Sequence, residues 1–191
     1  MARDSPLLPD LADSARLYMR LLFSFLAAVW LPQSYTRMRL EAAALPGTGG
    51  PLQDERTRGA VLSHRGSMLA DGARARLCQQ WRQLFLVFDV VICPVMPTPA
   101  YPPDHSPDQR QRQRRIMVDG MPIAYMDQLI WPRVEPRPGL PATAVSIDRS
   151  ADGLPIGAPI VGAAFEDHTP LAFAKLRERE FGGFVPPPGF A

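Results

Sequence analysis

Residues 88–99 read Phe88-Asp89-Val90-Val91-Ile92-Cys93-Pro94-Val95-Met96-Pro97-Thr98-Pro99. Val90 to Cys93 is a short apolar run rich in β-branched residues and closed by Pro94, which reads as a buried strand. From Pro94 to Pro107 six prolines exclude regular structure. On the N-terminal side, residues 52–93 contain no proline. There Leu62, Leu69, Ala73, Leu77, Trp81, Leu84, Phe85 and Phe88 recur at helical spacing, with Arg65, Arg74, Arg76 and Arg82 on the other face. That pattern predicts a helix over residues 67–87, its start blurred by Gly66 and Gly72. A helix thus runs straight into a strand and then a proline loop.

The rest of the chain repeats such alternations. Residues 108–121 carry a cluster of arginines and end in Asp119-Gly120, a turn signal. A short helix is expected at 122–131, with Pro122 in its first turn, followed by a proline loop at 132–141. Ala142 to Ile147 and Ile156 to Val161 read as strands around the turn Ala151-Asp152-Gly153. Pro159 assigns the second of them to an edge or a bulge. An amphipathic helix follows at 168–181, with Leu171, Ala174 and Phe181 among its apolar positions, stopped by Gly182-Gly183. Near the N-terminus, Leu11, Ala15, Tyr18, Leu22, Phe25, Leu26 and Val29 predict a helix over 10–31, capped by Asp10 or Asp13 and ended by Pro32. Residues 46–53 form a turn-rich loop. Strands interleaved with helices indicate α/β or α+β layers. Three or so strands are few for 191 residues, so apolar faces should stand uncovered, their partners on residues outside this chain.

Composition narrows the partners. The net charge of +2 is too small to point to nucleic acid or an anionic membrane. Leu21 to Leu31, interrupted by Ser24, is too short an apolar run to span a bilayer as a helix. Asp4, Asp10 and Asp13 stand where a secretory signal would be basic. Two cysteines, Cys78 and Cys93, give neither a disulfide framework nor a CxxC metal spacing, and read as packing residues in a reduced, cytoplasmic protein. Lysine occurs once, as Lys175.

No serine lies in a Gly-x-Ser-x-Gly elbow, and neither a Gly-Lys phosphate loop nor a GxGxxG is present. His64, His105 and His168 are far apart and lack metal-ligand spacing. Asp104-His105-Ser106 spells three triad residues, but triad partners converge from separate elements, and a loop turn is the simpler reading. Arg110, Arg112, Arg114 and Arg115 have no aromatic residue among them and read as a solvated loop. Tyr125, Asp127, Gln128 and Trp131 cluster between two proline loops. They line a pocket or cover a core edge. Tyr125, Asp127 and Trp131 are the pocket candidates.

The segment at 81–99 resembles the helix, strand and proline loop found late in amidase-signature enzymes. Gly139-Leu140-Pro141-Ala142 and Gly153-Leu154-Pro155-Ile156-Gly157 resemble that family's paired strands, and Val161-Gly162, Phe165-Glu166-Asp167 and the closing Gly182-Gly183-Phe184 continue the series. The resemblance covers residues 60–191, with 1–59 as a more loosely similar helical lead-in and loop. It implies an α/β fold, part of a mixed central sheet flanked by helices and incomplete in this chain. It also implies hydrolysis of carboxylic amides without metal or cofactor, by a Ser relayed through a second Ser in a cis peptide to a neutral Lys. A Gly/Ser-rich loop would supply oxyanion donors. In that family these groups precede the region matched here, and Lys175, in the late helix, is no substitute. Ala158-Pro159 departs from the Val-Gln common in the family's GLPxGxQxVG pattern. The chain therefore reads as the C-terminal portion of an amidase, inactive alone, whose partners are an amide substrate and the missing N-terminal part of the fold. The alternative is a stand-alone interaction or regulatory module, or one half of a split amidase.

Overall fold

A computed structural model of the chain describes residues 4–47, 51–105, 114–133, 138–186 and 189. Helix α1 spans Leu11–Leu26 and continues as a short 3-10 turn, Ala27–Val29. Asp10 caps it, its carboxylate accepting from the Asp13 N–H at 2.8 Å. Two helices follow that the sequence reading did not separate: α2, Pro32–Ala43, and α3, Leu52–Ala60. Contrary to expectation, Pro32 does not end the first helix: that helix has already stopped at Leu26 and its 3-10 turn at Val29, with Trp30 and Leu31 extended. Pro32 instead opens α2, because a first-turn proline lacks an N–H that would have no partner there anyway. Helix α4 spans His64–Phe85, starting three residues earlier than expected because Ser63 caps it by accepting from the Gly66 N–H at 3.0 Å.

The helical end closes on itself. Ala15 and Met19 of α1 are buried against Leu52 of α3, and Gly59 lets the backbones meet. A Cβ at Gly59 would lie 2.6 Å from the Arg20 carbonyl oxygen. Glu55 is fully buried between two arginines. Arg20 donates to it from α1, and Arg58 donates through Nη1 at 2.9 Å. Arg58 Nη2 also reaches the Pro46 and Gly47 carbonyls at 2.6 and 2.5 Å. One buried carboxylate thus joins α1, α3 and the loop before α3.

Strand β1, Val91–Ile92, pairs with β5, Pro155–Val161, which pairs with β4, Ala142–Arg149, in the order β1-β5-β4. A separate hairpin joins β2, Arg115–Val118, to β3, Met121–Ala124. All these pairings are antiparallel. Helices with small sheets bear out the expected fold class. Helix α5, His168–Phe181, lies against β4 and β5. Gly162 admits it: a Cβ there would come within 2.7 Å of the Pro170 ring. Leu77, Trp81 and Leu84 of α4 bury themselves with Phe88, Val91 and Leu140 beside the sheet.

Several expectations are corrected. The short helix expected at 122–131 is displaced: Pro122 lies in β3, and only a 3-10 helix forms, from Asp127 to Arg133. The Tyr125 N–H donates to the Arg114 carbonyl at 3.1 Å, so the alternation places Pro122 opposite Met117 at a non-hydrogen-bonded position, where a missing N–H costs the ladder nothing. Asp119 and Gly120, with φ of 49° and 78°, make the tight turn. Pro159 sits in the central strand, not at an edge or bulge. The Gly162 N–H donates to the Pro141 carbonyl at 2.9 Å, and by the same alternation Pro159 turns its nitrogen away from β4 and toward β1. Cys93 donates to the Pro159 carbonyl at 3.5 Å, but Pro159 has nothing to return. That explains why β1 ends at Ile92. The register irregularity falls instead between Ser146 and Asp148 of β4. Finally, β1 is an edge strand, and Ile92 is 49% exposed rather than buried. Phe25 and Val29, expected on the buried face of α1, are exposed, as is Leu69 of α4. Both cysteines are half-buried, and neither forms a disulfide.

Candidate functional site

Tyr125 follows β3 directly, so the hairpin fixes its backbone through the bond to Arg114. Its ring meets that of Tyr101 edge to face, centroids 6.4 Å apart at 86°. Tyr101 comes from the proline loop after β1, a residue the sequence reading passed over; the only available signal was an aromatic placed before Pro102-Pro103. Gln128 ties the pair down. Its side chain is 2% exposed, and Nε2 donates to the Tyr101 hydroxyl at 3.1 Å. Arg114 Nε stands 3.7 Å from Asp104 at the same end of the molecule.

Hydrogen bonding with Tyr101 raises the Tyr125 pKa above the usual phenol value, assisted by the Tyr101 charge and by burial and opposed by Arg114. Tyr125 also packs on the cluster of Ala15, Met19, Leu52 and Met126. It therefore covers a core edge, one of the two readings of the sequence. Asp127 and Trp131 begin and continue the 3-10 helix that follows. Trp131 is half-buried, and among the described residues it makes no ring contact with either tyrosine. The structure thus gathers Tyr101, Tyr125 and Gln128 closely, with Asp127 adjacent in sequence and Trp131 further along.

Two concavities lie away from this corner. One, of about 580 Å³, is an open trough on α4 among Arg76, Gln79, Gln80, Arg82 and Gln83. The other, of about 420 Å³, runs between α1 and α4 past Asp10, Arg16, Leu17, Arg76 and Leu77. Among the described residues no three His, Cys, Asp or Glu side chains gather as a metal site, and no helix is long and apolar enough to cross a membrane. Lys175 and His105 are exposed. Arg110 and Arg112 lie outside the described residues.

Helices packed on small antiparallel sheets, with an aromatic and amide corner beside them, define a partial scaffold of mixed helix and sheet layers. A family model described as Amidase matches residues 18–171, and the chain belongs to that family. The match begins within α1, so it includes much of the lead-in that looked only loosely similar. The chain is 44% identical over 52 residues to human "Fatty-acid amide hydrolase 2", a stretch covering 27% of this chain and 10% of that protein. It is 29% identical over 113 residues to a glutamyl-tRNA(Gln) amidotransferase subunit of Brevibacillus brevis, covering 59% of this chain and 21% of that one. Among solved structures, a bacterial aryl acylamidase belonging to the amidase signature enzymes superposes with a TM-score of 0.61 at 18% identity. That superposition covers 93% of this chain and 35% of the acylamidase. The chain therefore spans only part of each of these proteins.

Proposed function

We propose that this chain forms the C-terminal part of an amide hydrolase and walls its substrate pocket with Tyr125, Asp127 and Trp131, the reacting groups being supplied by the rest of the fold. The observation that carries this reading is the family match at 18–171 combined with the 35% coverage of the aryl acylamidase chain. The chemistry supports it as well. Amide cleavage needs an activated nucleophile and fixed donors for the developing oxyanion. The single lysine is exposed on α5, beside Arg177 and Glu178, and is not held against a serine by any described contact. The aromatic corner offers what a pocket wall supplies, flat apolar surface and tyrosine hydroxyls, with the buried Gln128 amide holding Tyr101 in place. The purified chain is expected to hydrolyse no amide from a panel of anilides and primary amides. Turnover accompanied by stoichiometric labelling with a serine-directed acyl probe would overturn the reading.

A second reading, a stand-alone module or one half of a split amidase, is favoured by one observation: the closed packing of α1 and α3 around Glu55. It predicts a monodisperse chain that unfolds cooperatively. The first reading predicts ANS binding and self-association through exposed apolar surface.

A further inference from the structure

The hydrogens of the tyrosine pair can be counted. A phenol hydroxyl has one O–H to donate and lone pairs to accept with. Tyr101 accepts from Gln128 Nε2 at 3.1 Å, so that bond uses none of its own hydrogen. Tyr101 and Tyr125 share one further hydrogen bond. Two hydroxyls carry two hydrogens, and the bond between them uses one, so one O–H of the pair is left over. The raised Tyr125 pKa keeps the shared hydrogen on Tyr125 and leaves the spare one on Tyr101. Among the described residues no acceptor takes it. Its direction is constrained as well. Gln128, within the 3-10 helix, is 2% exposed, whereas Tyr101 is 38% exposed. With Gln128 and Tyr125 both donating to its oxygen, Tyr101 turns its O–H away from them. Pro102 and Pro103 restrict the backbone that follows. Two incoming hydrogen bonds polarise a hydroxyl and strengthen the one it gives.

We infer that Tyr101 is a specificity-determining residue of the pocket wall, its O–H donating to a hydrogen-bond acceptor carried on the aromatic ring of an amide substrate. The inference rests on the proposed function above and adds to it a residue and a substrate class. An aromatic ring is the group that extends the edge-to-face pair of Tyr101 and Tyr125. The acceptor follows from the count: the corner has one hydrogen to give, and the Tyr101 oxygen has already taken two.

Because the chain is expected to hydrolyse no anilide, binding can be read at equilibrium. The test labels the tyrosine rings of the full chain with carbon-13 and follows them, with the indole N–H signals, by NMR. Two anilides of nearly equal shape are titrated in: 4′-acetylacetanilide, which carries a carbonyl on the ring, and 4′-ethylacetanilide, which does not. The acetyl compound is expected to shift the Tyr101 signals and to bind about 3- to 10-fold more tightly than the ethyl one, the range of one net hydrogen bond. Tyr101→Phe should bring the two affinities level; if it does not fold, the wild-type ratio decides. Equal wild-type affinities, with Tyr125 and Trp131 shifted by both compounds, overturn the inference and leave the proposed function standing. A preference that survives Tyr101→Phe and falls in Tyr125→Phe moves the donor to Tyr125 and overturns the assignment. Shifts at none of Tyr101, Tyr125 and Trp131 overturn the pocket-wall reading itself.

Discussion

The end of the molecule built from α1 and α3 and the end built from β1, β5, β4 and α5 solve burial differently. At the first, α1 and α3 face each other, Gly59 brings their backbones together, and Glu55 has both carboxylate oxygens bonded. At the second, β5 is buried while the elements around it are not. Phe165 is 94% exposed in a left-handed conformation, φ 68°, and Phe181 of α5 is 77% exposed. A bulky residue at positive φ is strained, and strain persists where other contacts hold the backbone. The difference lies in what fixes each end, a buried ionic group and a backbone contact at the first and neither at the second; exposed apolar surface is common to both, since Phe25 and Val29 are as open as Phe181.

The sharpest way to break the contrast is at Glu55. Glu55→Ala leaves Arg20 and Arg58 around an empty site, and removing one partner of a buried ionic group costs about 3–5 kcal/mol. Urea titration should show that loss; a cost below about 1 kcal/mol would mean the helical end is not the firm one. Gly59→Ala is next, since its Cβ would meet a carbonyl oxygen that moves only with the helix, at a cost of about 3 kcal/mol. Gly162→Ala meets the Pro170 ring and should cost about 1 kcal/mol by the same measurement, the looser end yielding more easily. Tyr101→Phe removes the main cause of the raised Tyr125 pKa, so phenolate absorbance should place Tyr125 closer to the ordinary phenol value. The sign is that of an acid whose neutral form is favoured by folding. Its contribution is complete below the ordinary phenol pKa and is lost as pH rises through the higher folded value, so the wild type should lose more stability than the variant across that alkaline window. Smallest is Phe181→Ser. In the isolated chain it should shift stability by no more than about 0.5 kcal/mol, while lowering ANS binding.

Much of this was legible in the sequence where a local rule had no competitor. Asp10 as a cap, Asp119-Gly120 as a turn, the two strands around Gly153 and the stop at Gly182 depend on neighbours a few residues away. The failures share a cause. Pro122 and Pro159 were judged by residue type, but their cost depends on whether the missing N–H points into the ladder, and register decides that. Pro32 was read as a stop, but it opens a helix, which hid α2. Ile92 looked like core because its composition says core; its exposure follows from sheet order. In the candidate site, Tyr125, Asp127 and Trp131 were legible only as neighbours in sequence. Tyr101 was not, since it reaches Gln128 across 27 residues from a loop without periodicity.

The pairing of β1 with β5 also sets a schedule. Val161 lies opposite Val91 but follows it in the chain by 70 residues. At a synthesis rate of about 5–20 residues per second, the strand leaves the ribosome roughly 4–14 s before its mate exists. During that interval Val90, Val91 and Ile92 have only the side chains of α4 for cover, so the nascent chain carries an apolar strand without its mate while the next 70 residues are made.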